Sequence, residues 1–336
     1  MANKMKLELK KHSELSDKEK KLVDNFILEE CTNGEFINTL EFLEYHPKGK
    51  FNDDTVVLMD SESRSVRSLM VACTLPGKDD VLISHAGTTF AGPIINRKHS
   101  INNISEYLQV VLDYYESRYK RIELRLPPVV FGKQPFGTVE YILLKRGYIK
   151  GMKGLSNIID ISGIKNIDDI FKTFYAKRRN QVKKVLKNNM FCLRESAEIQ
   201  QNVWENMNLN LDRKFQSKTT HTLNEIRDLK NRFPKQISAY YVDTHDCDYG
   251  AFCLAFKFKN VFHTQYLDTN YNYTGQYPNL FLITRLIEIA RSEGYSYFSF
   301  GASTENNGEY LNEGLYSYKA DYGGGDVILP VFVKTM

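Results

Sequence analysis

The feature that most constrains this sequence is an order of predicted elements that occurs twice. In the first half, helical patterns near 16–27 and 36–43 precede strand-like runs at 56–60, 66–74 and 81–84, then a helix at 104–115 and a strand at 122–126. In the second half, helical patterns at 200–211 and 223–233 precede strands at 237–242, 251–258 and 261–267, then a helix at 280–291 and a strand at 297–300. This repetition predicts an internal duplication with domains at 1–160 and 161–336.

Length and charge agree with two ordinary folded domains. The chain has 336 residues, and a domain takes about 150. Its 45 Lys and Arg against 41 Asp and Glu give a net charge of +4, which is too small to imply DNA or an anionic membrane as an obligate partner. Any electrostatic recognition is therefore expected to be local.

Targeting, membrane and metal signals are missing from the sequence. The N-terminus lacks the apolar stretch of a signal peptide, and the most apolar segment, 279–290, is interrupted by Arg285 and Glu288. No spacing typical of a metal site or redox pair occurs among the five cysteines, which are Cys31, Cys73, Cys192, Cys247 and Cys253. These observations predict a cytoplasmic protein without a membrane span or a bound metal.

The order of elements also predicts the fold. Two helices, three antiparallel strands, a helix and a further strand beside the last of the three is the order of the GNAT acyltransferase superfamily. We therefore expect an α+β protein of two tandem GNAT domains, each with a mixed, mostly antiparallel sheet flanked by helices. In this fold a central strand pair splays apart and leaves a cleft in which backbone groups hold an acyl donor.

Several segments resemble bacterial tandem GNAT proteins related to the Fem-type aminoacyltransferases, which build peptidoglycan cross-bridges. The resemblance rests mainly on 298–308, 311–315 and 318–324, and extends through 84–92, 178–184, 221–226 and 263–266. It implies transfer of an acyl or aminoacyl group to an amine on a cell-envelope precursor made in the cytoplasm. The implied acceptor is an amino sugar or peptide, either a small molecule or lipid-linked, and a lipid-linked acceptor would bring peripheral contact with the membrane.

The donor is left open by the sequence. Acetyl-CoA enzymes of the superfamily usually carry a Gln/Arg-x-x-Gly-x-Gly/Ala turn, whose free amides bind the pyrophosphate at a helix N-terminus. The corresponding segments here, 270–279 with Gly275 alone and 87–93 with Gly87 and Gly92, depart from that pattern. Acetyl-CoA or another acyl-CoA, and aminoacyl-tRNA with tRNA as a partner, are therefore both retained as donors.

Three residues are candidate catalytic groups. Acyl transfer to an amine needs a proton acceptor and donors for the developing oxyanion. Glu305 is the first candidate base and His263 the second, while Lys319, in the region where Fem-type enzymes place a basic residue, would face the oxyanion or an anionic substrate. The structural alternatives are a helix-capping carboxylate, a core histidine and an exposed lysine at a helix end. Where related proteins have an acid after this lysine, Ala320 stands here.

Candidate binding residues fall into two groups. The basic stretch 172–187 has no acid, so its charges are either simply solvated or neutralised by the phosphates of a nucleotide sugar, a lipid diphosphate or tRNA. The other group comprises the strand end at 84–89, the loop near Arg213 and His221, and positions within the resembling segments. The candidates are Arg178, Arg179 and Lys183 for phosphate, and Ser84, His85, Thr88, Thr89, Arg213, His221, Gln265, Tyr266, Ser303 and Asn307 for the remaining substrate contacts.

Two other functions fit the same fold. The departures from the pyrophosphate-binding turn are compatible with a catalytically silent scaffold that holds an envelope precursor or a partner enzyme. A sugar O-acetyltransferase for a surface polysaccharide would share the fold and differ in its acceptor.

Overall fold

The chain forms two compact units in a computed structural model that describes residues 6–246 and 248–336. The first unit comprises Met1–Gly154 with Ile328–Met336, and the second comprises Leu155–Val327. Residues 1–5 and Cys247, one of the five cysteines above, lie outside the described residues.

The secondary structure of each unit alternates helices and strands. The first unit contains β1 (Leu7–Lys11), α1 (Asp17–Asn25), α2 (Leu40–Leu43), β2 (Asn52–Asp53), β3 (Val56–Asp60), β4 (Ser65–Met70), β5 (Cys73–Leu75), β6 (Lys78–Ile83), β7 (Pro93–Ile94), α3 (Ile101–Glu116), β8 (Arg121–Arg125) and α4 (Gly137–Lys145). The next strand, β9 (Ile149–Asp160), passes from the first unit into the second. The second unit contains α5 (Ile167–Thr173), α6 (Ala176–Lys187), β10 (Phe191–Ser196), α7 (Gln201–Phe215), α8 (Leu223–Arg232), β11 (Ile237–Thr244), β12 (Tyr249–Lys257), β13 (Val261–Thr269), α9 (Pro278–Ser292), β14 (Tyr297–Ala302), β15 (Thr304–Glu305), β16 (Tyr310–Leu311) and α10 (Glu313–Ala320). The last strand, β17 (Gly325–Thr335), returns from the second unit to the first.

The sheets are mixed and mostly antiparallel, as predicted. In the second unit β10, β11, β12 and β13 pair in antiparallel order, β14 lies parallel to β13, and β9 is antiparallel to β14. In the first unit β6 and β8 form the corresponding parallel pair, with β17 antiparallel to β8. Each unit thus joins its parallel pair through one long helix, α3 or α9, and the predicted α+β fold is confirmed.

The first unit departs from the predicted meander. The predicted strand at 66–74 is two strands, because β4 pairs with β3 and β7 in one sheet whereas β5 pairs with β2 and β6 in another. Val71 and Ala72, which separate them, are fully buried. A continuous apolar run therefore concealed a change of sheet.

The predicted boundary after residue 160 differs from the division into compact units. It falls at the end of β9, and the predicted second domain also includes the end of the chain. In the structure Val331–Thr335 of β17 pairs with Arg121–Arg125 of β8, so the final residues belong to the first unit. Neither β9 nor β17 is among the predicted strands.

Local sequence signals explain several elements directly. Ser16 and Glu19 form the predicted capping box, in which Glu19 N–H donates to Ser16 Oγ and Ser16 N–H donates to the Glu19 carboxylate. The predicted apolar stripe on α3 is buried in the core of the first unit. Its members are Ile104, Leu108, Val111, Leu112 and Tyr115.

The turn after α10 fixes this helix against α5. Gly323 has φ of +74°, and a Cβ there would lie 1.8 Å from the carbonyl oxygen of Thr173. The hydroxyl of Thr173 donates to the carbonyl of Tyr322 at 3.1 Å. Only glycine suits both the conformation and the close approach.

We predict that Gly323→Ala destabilises the protein by at least about 2 kcal/mol, because strain and a clash with backbone act together. Gly325→Ala is the matched control, since no atom lies within 4 Å of its added Cβ, and it should cost less than about 0.5 kcal/mol. Chemical denaturation measures both, and equal effects of the two variants would contradict this account of the turn.

Candidate active site

A cleft opens in the second unit where two parallel strands part. β13 and β14 pair only through Val261–His263 and Tyr297–Ser299, and β14 then stays paired with β9 up to Ala302. On its other side β13 carries a bulge, since Leu254 faces Tyr266 but the next residue faces Thr264. This confirms that the central strand pair splays, as the fold predicts.

The cleft holds a pocket of about 410 Å³. Strand β13, the start of α9, the end of β14 and α10 form most of its wall. Its lining residues are Lys214, Thr264, Gln265, Leu267, Asp268, Thr269, Asn279, Ile283, Phe300, Leu315, Tyr318 and Lys319. Of these, Gln265 and Lys319 are sequence-predicted site residues.

Lys319 is buried at this pocket, and two backbone carbonyls bind its amine. The side chain is in a residue only 6% exposed, and Nζ donates to the carbonyl oxygens of Gly301 at 3.0 Å and Ala302 at 2.6 Å. Burial lowers the pKa of Lys319 to about 7. The charged and neutral forms are therefore both populated near neutral pH, and the structural alternative of an exposed helix-end lysine is wrong.

Glu305 contributes to α10 from outside the pocket. Its exposed carboxylate accepts a hydrogen bond from Asn312 Nδ2 at 2.7 Å, and Asn312 Oδ1 in turn caps α10 by accepting from Leu315 N–H at 2.9 Å. Glu305 therefore orients the capping residue of the helix that carries Lys319. This exposed position does not provide the shielding from water on which its prediction as a base depended.

His263 lies beside the point where the strands part, in contact with groups that position Lys319. Its Nδ1 is 3.0 Å from Ser299 Oγ, which also accepts from Gly301 N–H at 3.2 Å. Burial and the charge of Lys319 lower the pKa of His263 to about 4. The ring is thus neutral near pH 7 and a weak base, and its contacts hold the Gly301 segment whose carbonyl binds Lys319.

Arg178 does not face solvent as a phosphate ligand would. Its guanidinium pairs with Asp321 at 2.9 Å and lies 5.1 Å and 4.9 Å from the ring centroids of Tyr318 and Tyr322. Asn279 Nδ2 donates to the Tyr318 hydroxyl at 2.7 Å. Arg178 therefore supports α10 and the aromatic wall of the pocket.

The rest of the basic stretch is more exposed. Lys183 is exposed on α6, with Nζ 5.1 Å from the ring centroid of Phe171, and Arg179 is half-buried on the same helix. Lys172 lies apart on α5 and pairs with Asp169 at 2.7 Å. Binding of phosphate by Arg179 and Lys183 stays a prediction.

Other predicted residues of the second unit lie around the pocket without lining it. Ser303 is buried, and its hydroxyl donates to Asn157 at 2.6 Å. The Tyr266 hydroxyl is 2.7 Å from His221 Nδ1. Arg213 is exposed, 5.8 Å from the ring centroid of Tyr271, and Asn307 occupies an exposed turn with φ of +58°.

The corresponding strand end in the first unit is closed. Arg125 N–H donates to Ser84 Oγ at 2.7 Å, and Ala91 N–H donates to the carbonyl of Arg125 at 2.8 Å. The segment after β6 is thus bonded back onto β8 where β13 and β14 diverge.

The predicted polar residues of this segment have internal partners. His85 and Thr88 are buried, and the Thr88 hydroxyl donates to the carbonyl of His85 at 3.0 Å. Ser84 is fully buried, whereas Thr89 is exposed. Sugar or phosphate binding by these residues stays a prediction, and none of them belongs to the pocket of the second unit.

The sequence stage missed most of the pocket wall. The missed residues are Lys214, Thr264, Leu267, Asp268, Thr269, Asn279, Ile283, Phe300, Leu315 and Tyr318. The one available signal was their place on the strand and helices that border the expected splay.

Metal and membrane signals were searched in the part of the chain that the structure describes. No cluster of His, Cys, Asp and Glu there could hold a metal ion. Within the same residues, no helix combines the length and apolar character needed to cross a bilayer.

Comparisons with known proteins support the predicted fold. No protein-family model and no curated protein sequence matches the chain. Among solved structures it is similar to a crystal structure of FemX, with a TM-score of 0.72 and 12% identity over 98% of this chain and 97% of that one. It is also similar to the C-terminal domain of a putative lysylphosphatidylglycerol synthetase from Agrobacterium fabrum, with a TM-score of 0.58 and 10% identity over 95% and 92% of the two chains.

A third solved structure carries the tandem arrangement in its name. It is a tandem GNAT protein from the clavulanic acid biosynthesis pathway, with a TM-score of 0.52 and 9% identity over 98% of both chains. At these identities the likeness concerns the fold. The chain therefore has the tandem GNAT fold that FemX shares, and the resemblance drawn from its sequence is confirmed at that level.

We predict that the burial of Lys319 makes stability depend on pH. Above about pH 7 the folded lysine is neutral, while the unfolded one stays protonated up to its ordinary pKa of 10.5. The unfolded state then binds more protons, so the free energy of unfolding rises with pH, by at most about 1.4 kcal/mol per pH unit.

Urea denaturation of wild type and Lys319→Met from pH 6 to 9 measures this difference. Wild type should gain stability relative to the variant above pH 7 and not below it. Exposed Lys235 supplies the control, and Lys235→Met should follow wild type. Parallel curves for wild type and Lys319→Met would contradict the lowered pKa.

Proposed function

We propose that this chain is an acyltransferase that moves an acyl or aminoacyl group onto an amine of a cytoplasmic cell-envelope precursor, an amino sugar or a peptide. The observation that carries the proposal is the buried Lys319 amine at a cleft opened by parting strands. The likeness to FemX adds to it as an analogy of fold.

The reaction needs little chemistry from the protein. The acceptor nitrogen attacks the carbonyl carbon of the donor, and a C–N bond forms while the carbonyl oxygen becomes negative. Collapse of this intermediate breaks the bond to the leaving group, which is a thiolate for an acyl-CoA or a ribose oxygen for an aminoacyl-tRNA. The acceptor nitrogen must also lose a proton.

Lys319 fits the role of stabilising the oxyanion. Two of its three ammonium hydrogens are bonded to the carbonyls of Gly301 and Ala302, and the residue lines the pocket. The third hydrogen is then available to a substrate oxygen. A donor fixed in a site shielded from water stabilises developing charge strongly.

His263 and Glu305 are assigned positioning roles in this proposal. His263 acts through Ser299 and Gly301 on the carbonyl that binds Lys319. Glu305 acts through Asn312 on the start of α10. Both therefore affect the placement of the lysine rather than touching the reacting atoms.

The turn before α9 bears on the donor. Tyr277 has φ of +61° where the superfamily pattern has glycine, and Pro278, which lacks an N–H, is the first residue of the helix. This turn offers fewer backbone donors to a pyrophosphate than a glycine-rich turn does. The observation favours aminoacyl-tRNA over acyl-CoA, and it equally favours the alternative of a catalytically silent binding protein.

We predict that Lys319→Met lowers the rate of transfer about 100-fold or more, the usual cost of losing an oxyanion donor. Product formation from amino-sugar and peptide acceptors is followed by mass spectrometry, with acetyl-CoA and aminoacyl-tRNA as donors. Lys235→Met should keep the wild-type rate. Unchanged transfer by Lys319→Met would remove this lysine from the mechanism, and no transfer with any donor by wild type would leave the silent binding protein as the better account.

Thermal melting separates the donors. A ligand present at about 100 times its dissociation constant stabilises the folded state by about 2.7 kcal/mol. We predict a rise in melting temperature with a charged tRNA analogue that exceeds any rise with acetyl-CoA. The reverse order would make acyl-CoA the donor in spite of the turn before α9.

A further inference from the structure

We propose that the pocket binds a primary ammonium group at Asp268, an inference that rests on the proposed transfer in the same cleft. The ammonium belongs either to an amine carried by the donor's acyl group or to the amine of the acceptor. Asp268 would thereby be a specificity-determining residue of the site.

Asp268 presents a buried carboxylate to the pocket. The residue is 8% exposed and lies on β13 among the lining residues. It stands four residues from Thr264, whose hydroxyl donates to the carbonyl of Ser299 at the point of divergence. Four residues of extended strand span about 13 Å, so the carboxylate lies at the far end of the pocket from that point.

The hydrogen-bond partners of this carboxylate are neutral. Asn210 Nδ2 donates to one oxygen at 2.7 Å, and the Tyr249 hydroxyl donates to the other at 3.4 Å. Among the described residues, no Lys, Arg or His nitrogen forms an ion pair with it. A buried carboxylate is costly unless a cation neutralises it.

Lys214 is the nearby cation, and it acts only at longer range. It lines the same pocket but is exposed, with Nζ 5.2 Å from the ring centroid of Tyr271. Its charge lowers the pKa of Asp268, yet burial outweighs this effect and the pKa is raised. The carboxylate is thus held in place by neutral donors while its charge is left for a ligand.

The ligand chemistry follows from these contacts. The carboxylate can accept further hydrogen bonds, and a primary ammonium supplies both the charge and the donors. A neutral acyl chain would leave the charge of Asp268 uncompensated. The pocket should therefore distinguish an amine from its N-acetylated form.

Binding of simple amines tests the proposal without any assay of transfer. Isothermal titration calorimetry is run at neutral pH with L-lysine methyl ester as the donor-side probe and glucosamine as the acceptor-side probe. Each is compared with its uncharged counterpart, the di-N-acetylated ester or N-acetylglucosamine. We expect at least one amine to bind and its neutral counterpart to bind about tenfold more weakly.

Two variants locate the binding. Asp268→Asn keeps the shape of the side chain and its capacity to bond Asn210, and it should weaken binding of the amine about tenfold with little change in melting temperature. Asp228→Asn, on the surface of α8, is the matched control and should bind as wild type does. Which of the two amines binds identifies the source of the ammonium.

Either of two results would overturn the proposal: neither amine binds wild type better than its neutral counterpart, or Asp268→Asn binds as tightly as wild type. The outcome is independent of the proposed reaction. Lys319→Met should retain the amine binding, so a failure at Asp268 leaves the transfer experiment untouched, and a failure of transfer leaves the binding result standing.

Discussion

The early end of pairing between β13 and β14 is the constraint on which the candidate site depends. Only Val261–His263 and Tyr297–Ser299 pair, and β14 then follows β9 through a register irregularity near Gly301. The left-handed conformation of Gly301 at that point directs its carbonyl, together with that of Ala302, to the Lys319 amine. Because the polar backbone left over by the parting strands is satisfied by this lysine, the cleft and the buried amine depend on one another.

The two units solve the same topological problem in opposite ways. Each has a long helix between two parallel strands, and in each the strands pair for three residues. In the first unit the Ser84 hydroxyl and the chain at Ala91 bond to Arg125, and the opening is closed. In the second unit the pocket takes its place. A duplicated fold thus concentrates the candidate chemistry in one copy and gives the other a structural role.

The sequence predicted the fold well because periodicity and capping report on single elements, as the box at Ser16 and the stripe on α3 show. It missed β9 and β17, whose partners are distant in sequence, and the change of sheet at Val71. At the site it found Lys319, but burial of that lysine depends on carbonyls from another element. Arg178 looked like a phosphate ligand because Asp321, its partner, is far away along the chain.

The most direct test of the central claim, that the cleft of the second unit is the site of acyl transfer, is hydrogen–deuterium exchange with and without a bound donor. Acetyl-CoA and a stable aminoacyl-tRNA analogue serve as probes. Binding in the cleft predicts slower exchange at 264–269 and 300–302 and in α10, with 84–92 unchanged. Protection confined to 84–92, or to surfaces outside the second unit, would contradict the account.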